Sequence, residues 1–591
     1  MTTLSLLTTI PPIQAVLVRV RASLVCNKFI LNLERIFFAT LISSFVLVAR
    51  AENYSLLTAI QNTLPSQVDQ SRQRVPESIP GLNSNFDFRL ESTERSPIPK
   101  AVDSIKFKLN DIQIEGSSIY SEDQLRYLFE PLLKKEVVLE DVRGVADKLE
   151  LKYREKGYFL ARVFIPPQQV KGGKVNIKVI EGYIASILVE GASEELRANV
   201  KRRLTPLLDK KPIDLPSLER ALLLLNDLPG IRGSGLLRAG QEFGSTDLIV
   251  QIDYSNFSGV VSANNQSSRA LGPVILSSAY QFRGVLALSD ELTLQLGISS
   301  DGHELSTESL RYQMPLGRDG LIASLGVISS VAKPGANFAA LGLQSNVLSS
   351  NLSARYPIIR ARSGSVFAEF GVNYVNSRTS TQGTPLFQEN YLTHSAGLQF
   401  TDVRSPLGLT QLGVGVSRAS SVNATMASTD NFDPSLRKYT YNLHHVISFE
   451  SGIYAQADIQ GQWADKPLLS GERIAFGGGG IGKGFDPSTI VGDRGAGSSL
   501  EAGWSRMTVG PWGNNPGQIQ IFGFHDNATA KTLSTDSSPA ADVNIQSSGI
   551  GLRWLGNDGV RSAAYLAKPL QTNDNTSIHT ESMYLNVSVP W

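Results

Sequence analysis

The sequence predicts an α+β chain: two tandem βααββ modules followed by a 16-stranded antiparallel transmembrane β-barrel. Three observations lead there. Charge is divided unevenly: positions 1–254 hold 63 Asp, Glu, Lys and Arg residues, about 25%, and positions 255–591 hold 46, about 14%. The charge-poor part breaks into segments of about ten residues that alternate apolar and polar. The stretch 104–254 carries one strand–helix–helix–strand–strand order twice over. Mean hydropathy is only -0.06, and no run of 18 apolar residues follows residue 52. Helical membrane spans are thereby excluded from that part of the chain. A membrane barrel is not, because alternating strands average out in hydropathy.

Composition excludes several functions. The 55 Lys and Arg balance 54 Asp and Glu, a net charge of +1. That leaves no basic excess to hold a phosphate backbone, so nucleic acid is not an expected partner. Cys26 is the only cysteine among 591 residues, so no disulfide framework or cysteine metal site can form. The six histidines are scattered. The adjacent pair His444-His445 would face opposite sides of a strand and chelate poorly. No metal and no cofactor is expected.

Residues 1–51 read as a signal peptide. Ile36–Val48 is a mostly apolar stretch, Lys28 and Arg35 precede it, and Ala49-Arg50-Ala51 supplies small residues for cleavage before Glu52. Cys26 would leave with this segment, which suits an oxidising compartment. Residues 52–72 fit a short amphipathic helix, with Leu56, Ile60 and Leu64 at four-residue spacing. Residues 73–103 hold Pro76, Pro80, Pro97 and Pro99 and read as an extended linker. Fully extended, it would reach roughly 100 Å.

The first module covers 104–182. Phe107 to Ile114 alternates as a strand. Ser121 with Gln124 is a capping-box signal, and Leu125, Leu128, Phe129 and Leu132 follow at helical spacing. Val142, Val145, Ala146, Leu149 and Tyr153 mark a second helix that Gly157 stops. Tyr158–Ile165 and Lys174–Ile180 complete the module as strands. The second module, 183–254, repeats this order: a strand through Ile187 and Val189, helices over about 194–208 and around Leu218–Leu225, then strands near Gly233–Ala239 and Asp247–Ile252.

Residues 255–591 hold about sixteen alternating segments, roughly 21 residues per strand with its connection. Leu292–Ile298, Val366–Tyr374 and Gln518–Phe524 are examples. The last strand sets the phase. Met583, Leu585, Val587, Val589 and Trp591 point one way, towards lipid, and Tyr584, Asn586, Ser588 and Pro590 the other. Trp591 is then an interface anchor. A soluble sandwich or solenoid is the competing reading of such strands, and it leaves the leader and low charge unexplained.

Several strings resemble the two-partner-secretion transporters, the TpsB exporters of the haemolysin and filamentous-haemagglutinin type within the BamA-like superfamily. Ile165-Pro166-Pro167-Gln168-Gln169-Val170, Gly173 and Val179-Ile180-Glu181-Gly182-Tyr183-Ile184 resemble the end of that family's first POTRA domain. Tyr153-Arg154-Glu155-Lys156-Gly157-Tyr158 is similar to its Y-x-x-x-G-Y stretch. Gly492-Asp493-Arg494-Gly495, followed by Ser499-Leu500-Glu501 and Trp504, is similar to its late barrel signature, and Phe524-His525-Asp526 to its F-x-D. The resemblance covers residues 52–591 in order: helix, linker, two POTRA domains, barrel.

One departure stands out. Where the superfamily's sixth extracellular loop carries Arg-Gly-Phe or Arg-Gly-Tyr, this chain reads Lys483-Gly484-Phe485 after four glycines, Gly477–Gly480. The family arginine pairs with the F-x-D aspartate, so the resemblance maps a pore-loop latch onto Lys483, Gly484, Phe485 and Asp526. Lysine lacks the planar fork of arginine, so a looser latch, or one held by fewer hydrogen bonds, is expected. The glycine run lacks nucleotide-loop spacing and suits a backbone passing close to a wall.

The resemblance implies an outer-membrane exporter with its POTRA domains in the periplasm. An unfolded secreted passenger protein would bind those domains, thread the pore without ATP and fold outside. The helix 52–72 would plug the pore at rest. Open sheet edges accept added strands, and the passenger-binding groove is expected on the first module, between its second helix and Tyr158, Leu160 and Val163. Other expected partners are the lipid bilayer and, during biogenesis, the barrel-assembly machinery, with Trp591 as the C-terminal insertion signal; the barrel would be monomeric. No catalytic constellation such as G-x-S-x-G or H-E-x-x-H occurs, so enzyme activity is not expected. The alternative on similar architecture is a BamA-type insertase.

Overall fold

A computed structural model describes residues 88–90 and 106–591, apart from 404–407, 426–436, 510–515, 535–538 and 573–580. The signal peptide, the helix 52–72 and most of the linker lie outside the described residues. The chain divides into two compact units: one holds the two modules and the other the barrel.

The first module carries β2 (Phe107–Lys108), β3 (Asp111–Glu115), α1 (Glu122–Leu125), β4 (Glu136–Val137), α2 (Leu139–Glu155), β5 (Arg162–Phe164) and β6 (Lys174–Ile180). Its sheet runs β3-β6-β5, with β3 parallel and β5 antiparallel to β6. The core lies between this sheet and α2, which turns Val142, Val145, Leu149 and Tyr153 inward at helical spacing. Three expectations change here. The strand over 107–114 splits into β2 and β3. The first helix ends after four residues and continues as two short 3-10 turns, because Pro131 has no N–H to carry an α-helix on. The strand over Tyr158–Ile165 shrinks to β5, because the Ala161 N–H donates back to the Tyr158 carbonyl in a turn.

The second module keeps its expected elements: β7 (Tyr183–Glu190), α3 (Glu194–Leu204), α4 (Leu215–Asn226), β8 (Ile231–Ala239) and β9 (Ser245–Tyr254). Side chains cap both helices: Ser193 accepts from the Leu196 N–H and Asp214 from the Ser217 N–H. Leu218, Leu222 and Leu225 of α4 meet Leu237, Leu248 and Val250 of the sheet in one core. The sheet has an unforeseen member. Within the stretch read as linker, β1 (Phe88–Leu90) pairs in parallel with β8, giving the order β1-β8-β9-β7. Phe86, Phe88 and Leu90 alternate with Asp87 and Arg89, a period-two signal overlooked among the prolines.

Residues 257–590 form the closed barrel of sixteen strands, each antiparallel to its neighbours. It closes where Phe257–Asn264 pairs with Ser582–Pro590. The C-terminal residue finishes the seam: Gly259 and Trp591 exchange both backbone hydrogen bonds, at 2.9 and 3.0 Å. The Trp591 ring meets Phe257 and Tyr280 edge-on. Strand phase is as the terminal segment requires. Met583, Leu552, Ile550 and Ile521 stand exposed on the outside, while Tyr584, Phe522, Phe524 and Asp526 are buried on the inside.

Candidate functional site: a loop docked inside the barrel

The longest connection described within the barrel joins strand Ile453–Ala464 to strand Arg494–Val509. It folds back inside. Ile474–Phe476 and Ile490–Gly492 pair as a small hairpin, and Phe476, Ile481, Phe485 and Ile490 pack on Ala528, Ala530 and Ile545 of the wall. The loop thus carries its own apolar core onto the inner surface.

The tip sits over one transverse row of that wall. Strand register aligns His444, Asp458, Ser499, Asp526 and Ser547 on five neighbouring strands. Asp526 is fully buried. Its Oδ1 accepts from Lys483 Nζ at 3.1 Å, and its Oδ2 from the Gly482 and Lys483 amides at 3.0 and 2.8 Å and from Ser547 Oγ at 3.4 Å. Lys483 Nζ also donates to Ser499 Oγ at 2.7 Å and lies 4.6 Å from the Phe524 ring centroid. A buried carboxylate is tolerable only when its lone pairs are filled in this way. The fork expected of arginine is missing, but two backbone amides fill the second carboxylate oxygen. Gly484 is required sterically: a Cβ there would stand 2.8 Å from Ser547 Cβ and 2.9 Å from the Pro569 nitrogen.

The base of the loop is tied by Asp493, also fully buried. Its carboxylate accepts from the Leu468 amide at 2.7 Å, the Leu533 amide at 2.7 Å and Arg473 Nε at 3.2 Å. One side chain thereby joins the start of this loop, its middle and the next loop. Gly492 packs against the Lys531 backbone, leaving no room for a side chain. Arg494 donates to the Ala464 carbonyl at 2.7 Å and lies over Trp463, and Gly495 starts the descending strand.

Sequence reasoning missed several partners. Ser470 donates to Glu389 of strand Thr384–Asp402 through both its amide and its hydroxyl, and Leu469 packs with Val347, Val375 and Tyr391. The loop therefore touches a second stretch of wall. Arg553 donates to Glu501 from Nη1 and Nη2, at 2.9 and 3.1 Å, and Tyr454 donates to the same carboxylate at 2.8 Å. No local pattern could have revealed these partners, because even the hydrogen-bonded pairs lie 47 to 81 residues apart.

The residues expected at the passenger-binding groove stand against the module cores. Val163 faces the first module's core. Leu160 packs against the second module's core, and Tyr158 meets Tyr153 edge-on. The outward amide of Val163 is already taken, donating to the buried Glu150 carboxylate at 3.2 Å.

Comparison with known proteins gives two family models. A ShlB-type POTRA domain matches residues 107–182, and the haemolysin secretion/activation protein family ShlB/FhaC/HecB matches residues 244–554. The chain is 26% identical over 505 residues to the heme/hemopexin transporter protein HuxB of Haemophilus influenzae, covering 80% of this chain and 86% of that protein. It is 21% identical over 514 residues to the outer membrane transporter CdiB of Dickeya dadantii, covering 83% and 87%. Among solved structures, CdiB from Escherichia coli matches with a TM-score of 0.69 at 18% identity, over 92% of this chain and all of that one. CdiB from Acinetobacter baumannii gives 0.62 at 17% identity, with the same coverage.

Proposed function

The chain belongs to the haemolysin secretion/activation family ShlB/FhaC/HecB, and from that premise we propose that it captures an unfolded secreted protein at its POTRA domains and passes it out through the barrel without ATP. Membership makes it an outer-membrane transporter of the two-partner-secretion type with periplasmic POTRA domains. The finer steps are our reading.

The observation that carries this reading is the loop docked on the inner wall through Lys483 and Asp526. A polar, hydrogen-bonded tip inside a closed barrel is a removable obstruction. An extended chain entering from the periplasmic side displaces it, and folding outside prevents return. In this reading Lys483, Gly484, Phe485 and Asp526 form the latch, and Gly492, Asp493, Arg494 and Gly495 fix the loop base. The segment 52–72 adds a plug, and Trp591 is the end that the barrel-assembly machinery reads on insertion of a monomeric barrel.

Planar-bilayer recordings test it. The mature chain is compared with a form lacking residues 52–72 and with Asp526→Ala. Low conductance for the mature chain and a strong rise in either variant is the expected result. Equal, open conductance in all three would leave a simple pore as the better account.

A further inference from the structure

We propose that the lipid-facing side of the barrel around Arg418, Arg437, Arg494 and Trp463 is a binding site for a phosphorylated lipid headgroup of the outer leaflet.

Strand phase defines the site. Asp526 faces inward, and register carries that phase through Ser499, Asp458, His444 and Gln411 of the preceding strands. The alternate positions on each strand face lipid. On strand Leu409–Thr425 these are Leu412, Val414 and Val416, all exposed, and then Arg418. On Arg437–Ser448 the exposed rings of Tyr441 and Tyr439 give way to Arg437. The last such residue of Ile453–Ala464 is Trp463, and the first of Arg494–Val509 is Arg494. An apolar run that ends in aromatic rings and then in arginines marks a membrane boundary. It is the outer boundary: the first strand leaves the periplasmic modules at Phe257, and Trp463 lies at the far end of the eleventh.

Basic residues are concentrated on this side. Among the described residues, the lipid-facing strand positions of 257–332 hold no lysine or arginine. Here like charges stand directly opposite each other: Arg418 beside Arg437, and Arg494 beside Lys531. Such cross-strand pairs cost stability, and two of them in one patch point to an anion that bridges them. Two carboxylates lie near. Asp465 accepts from the Arg437 backbone amide at 3.1 Å, and Asp542, opposite Lys531, accepts from Thr529 Oγ1 at 3.1 Å. The cations thus outnumber the acids by four to two. Arg494 Nε donates to the Ala464 carbonyl at 2.7 Å, and its guanidinium lies 4.9 Å from the Trp463 ring centroid. The Trp463 ring in turn lies 5.8 Å from that of Tyr439. Arginine meets phosphate oxygens with two donors at once. The apolar column below Arg418 gives acyl chains a surface that a free anion could not use.

Native mass spectrometry of the full mature chain in detergent tests this, with diphosphoryl lipid A, its monophosphoryl form and inorganic phosphate as probes. Four forms are compared: native, Arg418→Gln/Arg437→Gln, Arg418→Lys/Arg437→Lys, and Arg506→Gln, whose exposed arginine faces lipid towards the other end of its strand. Diphosphoryl lipid A is expected to bind the glutamine pair at least about ten-fold more weakly than native, the order expected for two cations at a lipid surface. The lysine pair recovers most of the binding, and Arg506→Gln binds as native does. The monophosphoryl form binds native more weakly, and excess inorganic phosphate does not displace the lipid. Heat-modifiable gel mobility shows that each form is folded and adds a second readout. Without lipid the glutamine pair unfolds no lower than native, because a repulsion has been removed; with lipid the native midpoint rises more. Equal lipid binding by all four forms overturns the proposal. So does an equal loss in Arg506→Gln, which would mark a general attraction of the barrel for anionic lipid. Displacement by inorganic phosphate would show a free-anion site instead, and a glutamine pair that unfolds lower without lipid would show that the arginines serve the fold alone.

Discussion

Lys483 Nζ lies 3.1 Å from Asp526 Oδ1, with the lysine side chain 14% exposed and the aspartate fully buried. The pair is asymmetric. Removing the lysine side chain deletes one charged hydrogen bond, worth about 1.5–3 kcal/mol, while the Gly482 and Lys483 amides still hold the carboxylate. Removing the carboxylate deletes every one of these contacts. Asp526→Ala is therefore expected to open the pore more often than Lys483→Ala, by ten-fold or more in open probability. Lys483→Arg is expected to open it less often than native. Single-channel recording checks the order, and equal behaviour of the two alanine variants would show that the ion pair alone holds the tip.

Asp493→Ala leaves two loop amides, of Leu468 and Leu533, without their acceptor. Each buried unsatisfied donor costs about 1–3 kcal/mol. The variant is expected to lower the heat-modification midpoint and to let protease cut within 465–493 in intact cells, where native chain resists. Asp493→Asn recovers only part, because its amide nitrogen cannot accept from these donors.

The sequence made the repeated modules, the strand phase and the contact of Lys483 with Asp526 legible, each for a physical reason. Periodicity reports burial, so Leu218, Leu222 and Leu225 marked their helix and Met583 to Trp591 set inside from outside. Lys483 and Asp526 came from a family pattern. Register was not legible. The row His444, Asp458, Ser499, Asp526 and Ser547 depends on the stagger of five strands, which no local pattern records. β1 escaped because the prolines around it outweighed a short alternation. Tyr158, Leu160 and Val163 stand against the module cores, because apolar residues beside a helix pack on the core first.

Glu304 gives a pH dependence in the loop between strands Glu291–Ser299 and Leu305–Leu316. Burial, then the nearby Asp301 charge, pushes its carboxyl from 4.5 up to about 7. Gly335 makes room for it: a Cβ there would stand 1.6 Å from Glu304 Oε1. Between about pH 4.5 and 7 the folded chain keeps a proton that the unfolded chain has lost, so this group's contribution to stability falls as pH rises through that window. Glu304→Gln is expected to remove that fall and to raise the heat-modification midpoint at pH 8 relative to native, with little difference at pH 4.5. A native-minus-variant difference that does not change with pH would reject the assignment.

Glu150 seals the free edge of β5. The carboxylate is 4% exposed and lies within reach of Arg154 Nη2 at 2.5 Å, the Val163 amide at 3.2 Å and Arg162 Nη1 at 3.6 Å. Glu150→Ala strips an acceptor from a buried amide and leaves two arginines without their shared anion. The cost is about 2–4 kcal/mol, from one unsatisfied donor and a lost charged bond. Glu150→Gln keeps an acceptor for Val163 and should lose less. Hydrogen exchange on the full chain separates the two effects. In Glu150→Ala, peptides covering 162–164 are expected to exchange at least ten-fold faster, while those covering 175–180, in the middle of the sheet, change little. Uniform acceleration across the module would mean that Glu150 supports the whole core and has no particular hold on the edge.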